Sequence, residues 1–125
     1  MAPGRQLAFL WGGAALACAA AVPFARDLAA GTAPCAFKAF TGVPCPTCGG
    51  TRALLAIARL DPGAALAWNP LVTLGVVVFF AGGFVALVRA LRGSGVPDAA
   101  PPRWAGAALG LALAANWAFV VVAGR

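Results

Sequence analysis

Three stretches of this chain run without a single charged residue for about the thickness of a membrane: Leu7 to Ala25, Pro70 to Val88 and Trp104 to Gly124, of 19, 19 and 21 residues. About 20 apolar residues at a helical rise of 1.5 Å cross a hydrocarbon core of roughly 30 Å. Lipid offers the backbone no hydrogen-bond partner, so each run must satisfy its own peptide groups as a helix. Charge bounds the runs: Arg5 and Arg26 flank the first, Arg89 follows the second, and Arg103 and Arg125 flank the third. Trp68 and Trp104 stand at span edges, where indole rings prefer the interface. The first run also carries signal-peptide features, a preceding Arg5 and the small residues Ala19-Ala20-Ala21. It continues to Ala25, long for a signal core, and is read as a retained span.

Composition supports the same class. Of 125 residues 62% are hydrophobic and 10% charged, whereas soluble domains carry about 25% charged residues. The formal charge of +6 comes from basic residues scattered singly between apolar blocks. That pattern suits lipid headgroups and gives no nucleic-acid footprint. The chain has no His, Glu or Tyr, one Lys (Lys38), one Ser (Ser94) and three acids, Asp27, Asp61 and Asp98. Ser-His-Asp triads, glutamate acid–base pairs and histidine metal sites are excluded by inventory. Any chemistry here would run on thiols.

The information is concentrated between the first two spans, in residues 34–69. Pro34-Cys35 opens the segment; Phe37-Lys38-Ala39-Phe40 and the turn signals Gly42 and Pro44 follow; then comes Cys45-Pro46-Thr47-Cys48-Gly49-Gly50-Thr51-Arg52. Ala53 to Leu60 reads as a short helix with Arg52 and Arg59 on one face and Leu54, Ile57 and Ala58 on the other, suited to lying in the membrane interface. Asp61-Pro62 supplies an N-cap and a first helical residue for a second short helix, Gly63 to Trp68. Asn69 caps the second span at Pro70. The expected fold is therefore an all-α integral membrane protein in one domain: three transmembrane helices, with a short cysteine-braced interfacial helical hairpin between spans one and two.

The ordered set Cys35-x-Phe37-Lys38, Thr41-Gly42, Cys45-Pro46-x-Cys48-Gly49-x-Thr51-Arg52-Ala53 and Trp68-Asn69-Pro70-Leu71 resembles the family called domain of unknown function 2752. The likeness covers roughly residues 34–71. It implies a small multi-pass protein of the bacterial cytoplasmic membrane and marks Cys35, Cys45, Pro46, Cys48, Gly49, Thr51, Arg52, Asn69 and Pro70 as motif residues. It implies no biochemical activity.

Three readings of the cysteines stand side by side. Cys45-Pro46-x-Cys48-Gly49 has zinc-knuckle spacing, with Cys35 as a third ligand and Asp27, Asp61, a water or another chain's thiol as the fourth. A Cys-x-x-Cys pair before a helix also suits thiol–disulfide exchange, with Arg52 adding positive charge. Plainest of all, the thiols brace a loop rich in Gly and Pro, by disulfide or by packing. Cys18, mid-span, is read as a small packing residue.

The leading expectation is a non-enzymatic membrane module. Its cysteine loop, held by a disulfide or zinc, docks a membrane-protein partner or a second copy of the chain. The alternative is a membrane-bound redox protein using Cys45 and Cys48. Arg52 and Trp68 are expected to anchor at headgroups, and Asn116, inside span three, to face protein or water. Gly106 with Gly110, and Gly12 and Gly13 with Ala17, offer close helix contacts, unless they merely reflect a chain rich in Gly and Ala. The linker from Arg89 to Arg103 reads as loop alone. Its density of arginines places it in the cytoplasm and the cysteine loop on the opposite side, where a disulfide persists more readily than reduced zinc ligands.

Overall fold

The computed structural model describes residues 3–28, 35–97 and 100–124, with residues 25–28 in backbone only. Asp98, Arg125 and the side chains of Arg26 and Asp27 lie outside that description. Among the described residues six helices follow in order: α1 (Pro3–Leu28), α2 (Ala36–Thr41), α3 (Gly50–Ala58), α4 (Pro62–Trp68), α5 (Pro70–Leu91) and α6 (Ala105–Val122). Helices α1, α5 and α6 are long and apolar enough to cross a membrane. The protein is an all-α, multi-pass membrane protein, with the cysteine segment and the α3–α4 hairpin between its first two spans.

The main packing is α1 against α5, and small residues make it. A Cβ on Gly12 would lie 2.6 Å from the Leu87 Cβ, one on Gly83 2.7 Å from the Ala15 Cβ, and one on Gly82 2.6 Å from the Trp11 ring. Each approach is closer than a side chain permits, so glycine sets the helix separation. Ala8, Ala86 and Ala90 continue the seam, with Phe9, Trp11 and Val96 packed against it. The linker after α5 is more than a loop. The Val96 N–H donates to the Gly4 carbonyl at 3.2 Å, and Arg89 Nε donates to the Gly95 carbonyl at 3.4 Å.

Gly13, Gly106 and Gly110 face open space, so of the small-residue sets read from the sequence only Gly12 works within the chain. Cys18 is exposed on α1 and does not pack as expected.

The short helices end for identifiable reasons. Asp61 Oδ1 accepts from the Ala64 N–H at 2.9 Å and Pro62 starts α4, as the sequence suggests. Helix α3 begins at Gly50, three residues earlier than expected, because Gly49 (φ 79) turns the chain and its carbonyl takes the Ala53 N–H. It closes with two backbone bonds, Leu60 N–H to the Ile57 carbonyl and Asp61 N–H to the Ala56 carbonyl, which require Leu60 at φ 60. Its buried face is Gly50, Ala53 and Ala56, and Leu54, on the apolar face opposite the arginines, is exposed. Helix α2 was not legible as a helix, and none of its residues is buried.

Candidate functional site: the cysteine loop and its polar anchor

The loop before α3 is built by backbone bonds that fold the Cys-Pro-Thr-Cys turn tightly. Cys48 N–H reaches the Cys45 carbonyl at 2.9 Å, and Gly50 N–H reaches the Thr47 carbonyl at 2.8 Å. The Cys45 N–H then points at Cys48 Sγ, 3.2 Å away. Gly49 is needed twice over: its φ is left-handed, and a Cβ there would sit 2.9 Å from the Trp68 carbonyl oxygen.

This turn brings the sequence-predicted thiols together. Cys35 Sγ lies 3.4 Å from Cys45 Sγ, which lies 3.4 Å from Cys48 Sγ, and all three sulfurs fall within 4.8 Å of one another. Thr47 Oγ1 is 3.3 Å from Cys45 Sγ. Cys48 is buried; Cys35 and Cys45 are half-buried. Among the described residues no further His, Cys, Asp or Glu joins the group. Asp61, one of the fourth ligands expected from sequence, instead caps α4.

The thiols are electrostatically unlike. Cys35 occupies the N-cap of α2, and the Lys38 backbone N–H, with help from Cys45, Cys48 and the Phe37 N–H, lowers its pKa to about 7. Burial, with the Cys45 and Cys35 thiols beside it, pushes Cys48 up to about 11. Neither shift comes from Arg52, whose guanidinium lies over the Trp68 ring at 4.6 Å.

The loop is anchored by amides that belong to the membrane spans. Asn69, fully buried, donates from Nδ2 to the Pro46 and Cys48 carbonyls, each at 3.1 Å, and accepts from the Val72 N–H at 3.0 Å. Asn116 of α6 donates to the same Pro46 carbonyl at 2.8 Å and accepts from the Leu71 N–H at 3.0 Å. Trp117 Nε1 donates to the Pro44 carbonyl at 2.9 Å. Pro70 has no N–H to satisfy, so the free donors at the start of α5 all find partners. Thr51 stands exposed in the first turn of α3.

Asn69 and Asn116 thus behave as the sequence suggests, one capping and one facing protein. That both hold the cysteine loop was not foreseen, and Trp117 was missed. The available signal was an Asn-Trp pair inside an otherwise apolar run.

Residues 35–83 match the family model described as protein of unknown function (DUF2752). That is the family the motif resembles. The match begins at Cys35 and reaches Gly83, so the matched region holds the three clustered thiols, Asn69 and the glycines of α5 that receive α1. Helix α6, which supplies Asn116 and Trp117, lies outside it. No curated protein and no solved structure matches the chain.

Proposed function

We propose that this is a non-enzymatic module of the bacterial cytoplasmic membrane, whose Cys35, Cys45 and Cys48 act as one unit that shapes a docking loop, with zinc as the ion they hold. The carrying observation is the convergence of three sulfurs rather than two. Tetrahedral zinc–thiolate sites with bonds of about 2.3 Å place sulfurs about 3.8 Å apart. The separations of 3.4 Å and the outer limit of 4.8 Å bracket that value. A disulfide would use two sulfurs and leave the third unexplained. With three protein ligands, the fourth position is open to water or to a donor from a docked partner, either a second copy of the chain or another membrane protein.

A second reading has its own support. Cys45 Sγ lies 3.4 Å from each of the other two sulfurs, which suits exchange in which the Cys35 thiolate attacks Cys45 of a Cys45–Cys48 disulfide, forming a Cys35–Cys45 bond and releasing Cys48 as its thiolate. An outward-facing loop, the expectation from the arginine distribution, favours this reading or a plain disulfide brace.

The test is metal content with thiol counting on protein purified in detergent without chelator. One zinc ion per chain, lost alike in Cys35→Ser, Cys45→Ser and Cys48→Ser, is the expected result. Metal-free protein with two of the three thiols oxidised would overturn the zinc centre in favour of the disulfide readings.

A further inference from the structure

Helices α3 and α4 enclose a second feature that uses none of the thiols: an open groove of about 360 Å³ lined by Arg52, Leu55, Ala56, Arg59, Asp61, Ala64 and Trp68. We propose that this groove binds the phosphodiester of an anionic phospholipid headgroup.

Charge and geometry select the anion. Arg52, in the first turn of α3, and Arg59, its C-cap, lie seven positions apart, about two turns along one face, and both line the groove. Arg52 is held in place by the Trp68 ring at 4.6 Å. Stacking occupies the flat face of a guanidinium and leaves the N–H donors on its edge for an acceptor. A planar fork of donors matches phosphate oxygens, and ordering the side chain in advance reduces the entropy lost on binding. Asp61, the carboxylate on the rim, already has Oδ1 engaged by the Ala64 N–H. Two guanidiniums against one carboxylate leave a net charge of +1, which balances a phosphodiester better than a doubly charged phosphate monoester.

Position selects lipid over soluble phosphate. The hairpin joins directly to the first turn of α5, at the end of a membrane-crossing helix. Leu54 of α3, Leu66 of α4 and Leu60 in the turn between them are exposed, Leu60 to 89%. Leu60 also holds the left-handed position of the α3 terminus, where glycine is the unstrained choice. A strained, exposed leucine beside a cationic groove suits acyl chains below and a headgroup above.

The experiment is native mass spectrometry of the detergent-solubilised full chain with added phosphatidylglycerol, phosphatidylcholine or inorganic phosphate. Phosphatidylglycerol should remain bound in preference to phosphatidylcholine. Arg52→Gln and Arg59→Gln should each weaken that binding about tenfold, the cost of one charged hydrogen-bonding group. Arg52→Lys should weaken it less, and Arg92→Gln, outside the groove, should leave it unchanged. Equal retention of the two lipids, or insensitivity to both glutamine substitutions, would overturn the proposal. Displacement of phosphatidylglycerol by inorganic phosphate at comparable concentration would equally overturn the lipid assignment, in favour of a free-phosphate site. None of these readouts depends on the metal content of the cysteine loop.

Discussion

Asn69, the N-cap of α5, and Asn116, inside α6, donate to one carbonyl oxygen, that of Pro46, at 3.1 and 2.8 Å. That atom sits between the two cysteines of the Cys-Pro-Thr-Cys turn, so the conformation of the thiol loop and the placement of α6 are mechanically joined. Trp117, which donates to the Pro44 carbonyl, and the buried Val120 complete the hold on α6.

Asn69→Ala should therefore be the most damaging single polar substitution. It removes the donor to the Cys48 carbonyl, one of the two donors to the Pro46 carbonyl and the cap on the Val72 N–H together. Each unsatisfied buried group costs about 1–3 kcal/mol. Asn116→Leu should cost less, because it leaves only the Leu71 N–H without its side-chain partner, and its effect should centre on α6. Thermal unfolding in detergent, with limited proteolysis of the linker before α6, gives the ranking. An Asn69→Ala protein as stable as the wild type would remove the polar anchor from the account.

Much of this fold could be read from the chain because membrane insertion is governed by simple rules. Charge-free length placed all three spans, and the errors fell at their ends. Helix α5 runs past Val88 to Leu91 because Arg89, in its last turn, reaches back to the Gly95 carbonyl and does not end the helix. The caps at Asp61 and Asn69 were legible because they are local. The convergence of Cys35 with Cys45 and Cys48 followed from the motif. The role of Asn116 was not legible in detail, since its bond to Pro46 depends on how α6 is placed against the loop. Helix α2 escaped notice because six residues are too few to show a helical period.

Gly49→Ala should destabilise more than Gly42→Ala, although both glycines have a left-handed φ, of 79° and 75°. Gly42 faces open space, so alanine there pays only the backbone cost of about 1–2 kcal/mol. At Gly49 the same cost is joined by the clash with the Trp68 carbonyl, which must move with the α4–α5 junction. Equal losses of stability for the two variants would show that this close approach carries no energy.

Cys35 and Cys48 should respond differently to pH in metal-free, reduced protein. Cys35, with its pKa lowered to about 7, should be alkylated by iodoacetamide at a rate that rises through neutrality and levels off above it. Cys48, buried and raised to about 11, should stay unreactive across that range. The sign for stability follows. A lowered thiol pKa stabilises the fold above its ordinary value of 9.0, and that contribution fades as pH falls toward 7. The raised pKa of Cys48 acts in the opposite direction: its contribution is present below 9.0 and is lost as pH climbs toward 11. Mass-spectrometric mapping of the alkylated cysteines checks the order, and a Cys48 that labels as fast as Cys35 at pH 8 would contradict the geometry.

The glycines of the spans offer a last, internally controlled comparison. Gly83 receives the Ala15 methyl and the Trp11 ring, and a Cβ added there would lie 2.7 Å from Ala15. Gly110, also mid-span, meets nothing within 4 Å. Leucine is at least as hydrophobic as glycine, so neither Gly83→Leu nor Gly110→Leu should impair membrane insertion. Only Gly83→Leu should force α1 away from α5, and overpacking of this kind costs about 1–3 kcal/mol or more. Crosslinking between engineered cysteines at Ala8 and Ala90, in a background with Cys18 replaced, should therefore fail in Gly83→Leu and persist in Gly110→Leu. The same crosslink in the parent requires that α1 remain attached, so recovery of a mature chain starting near Arg26 would refute the three-span arrangement itself.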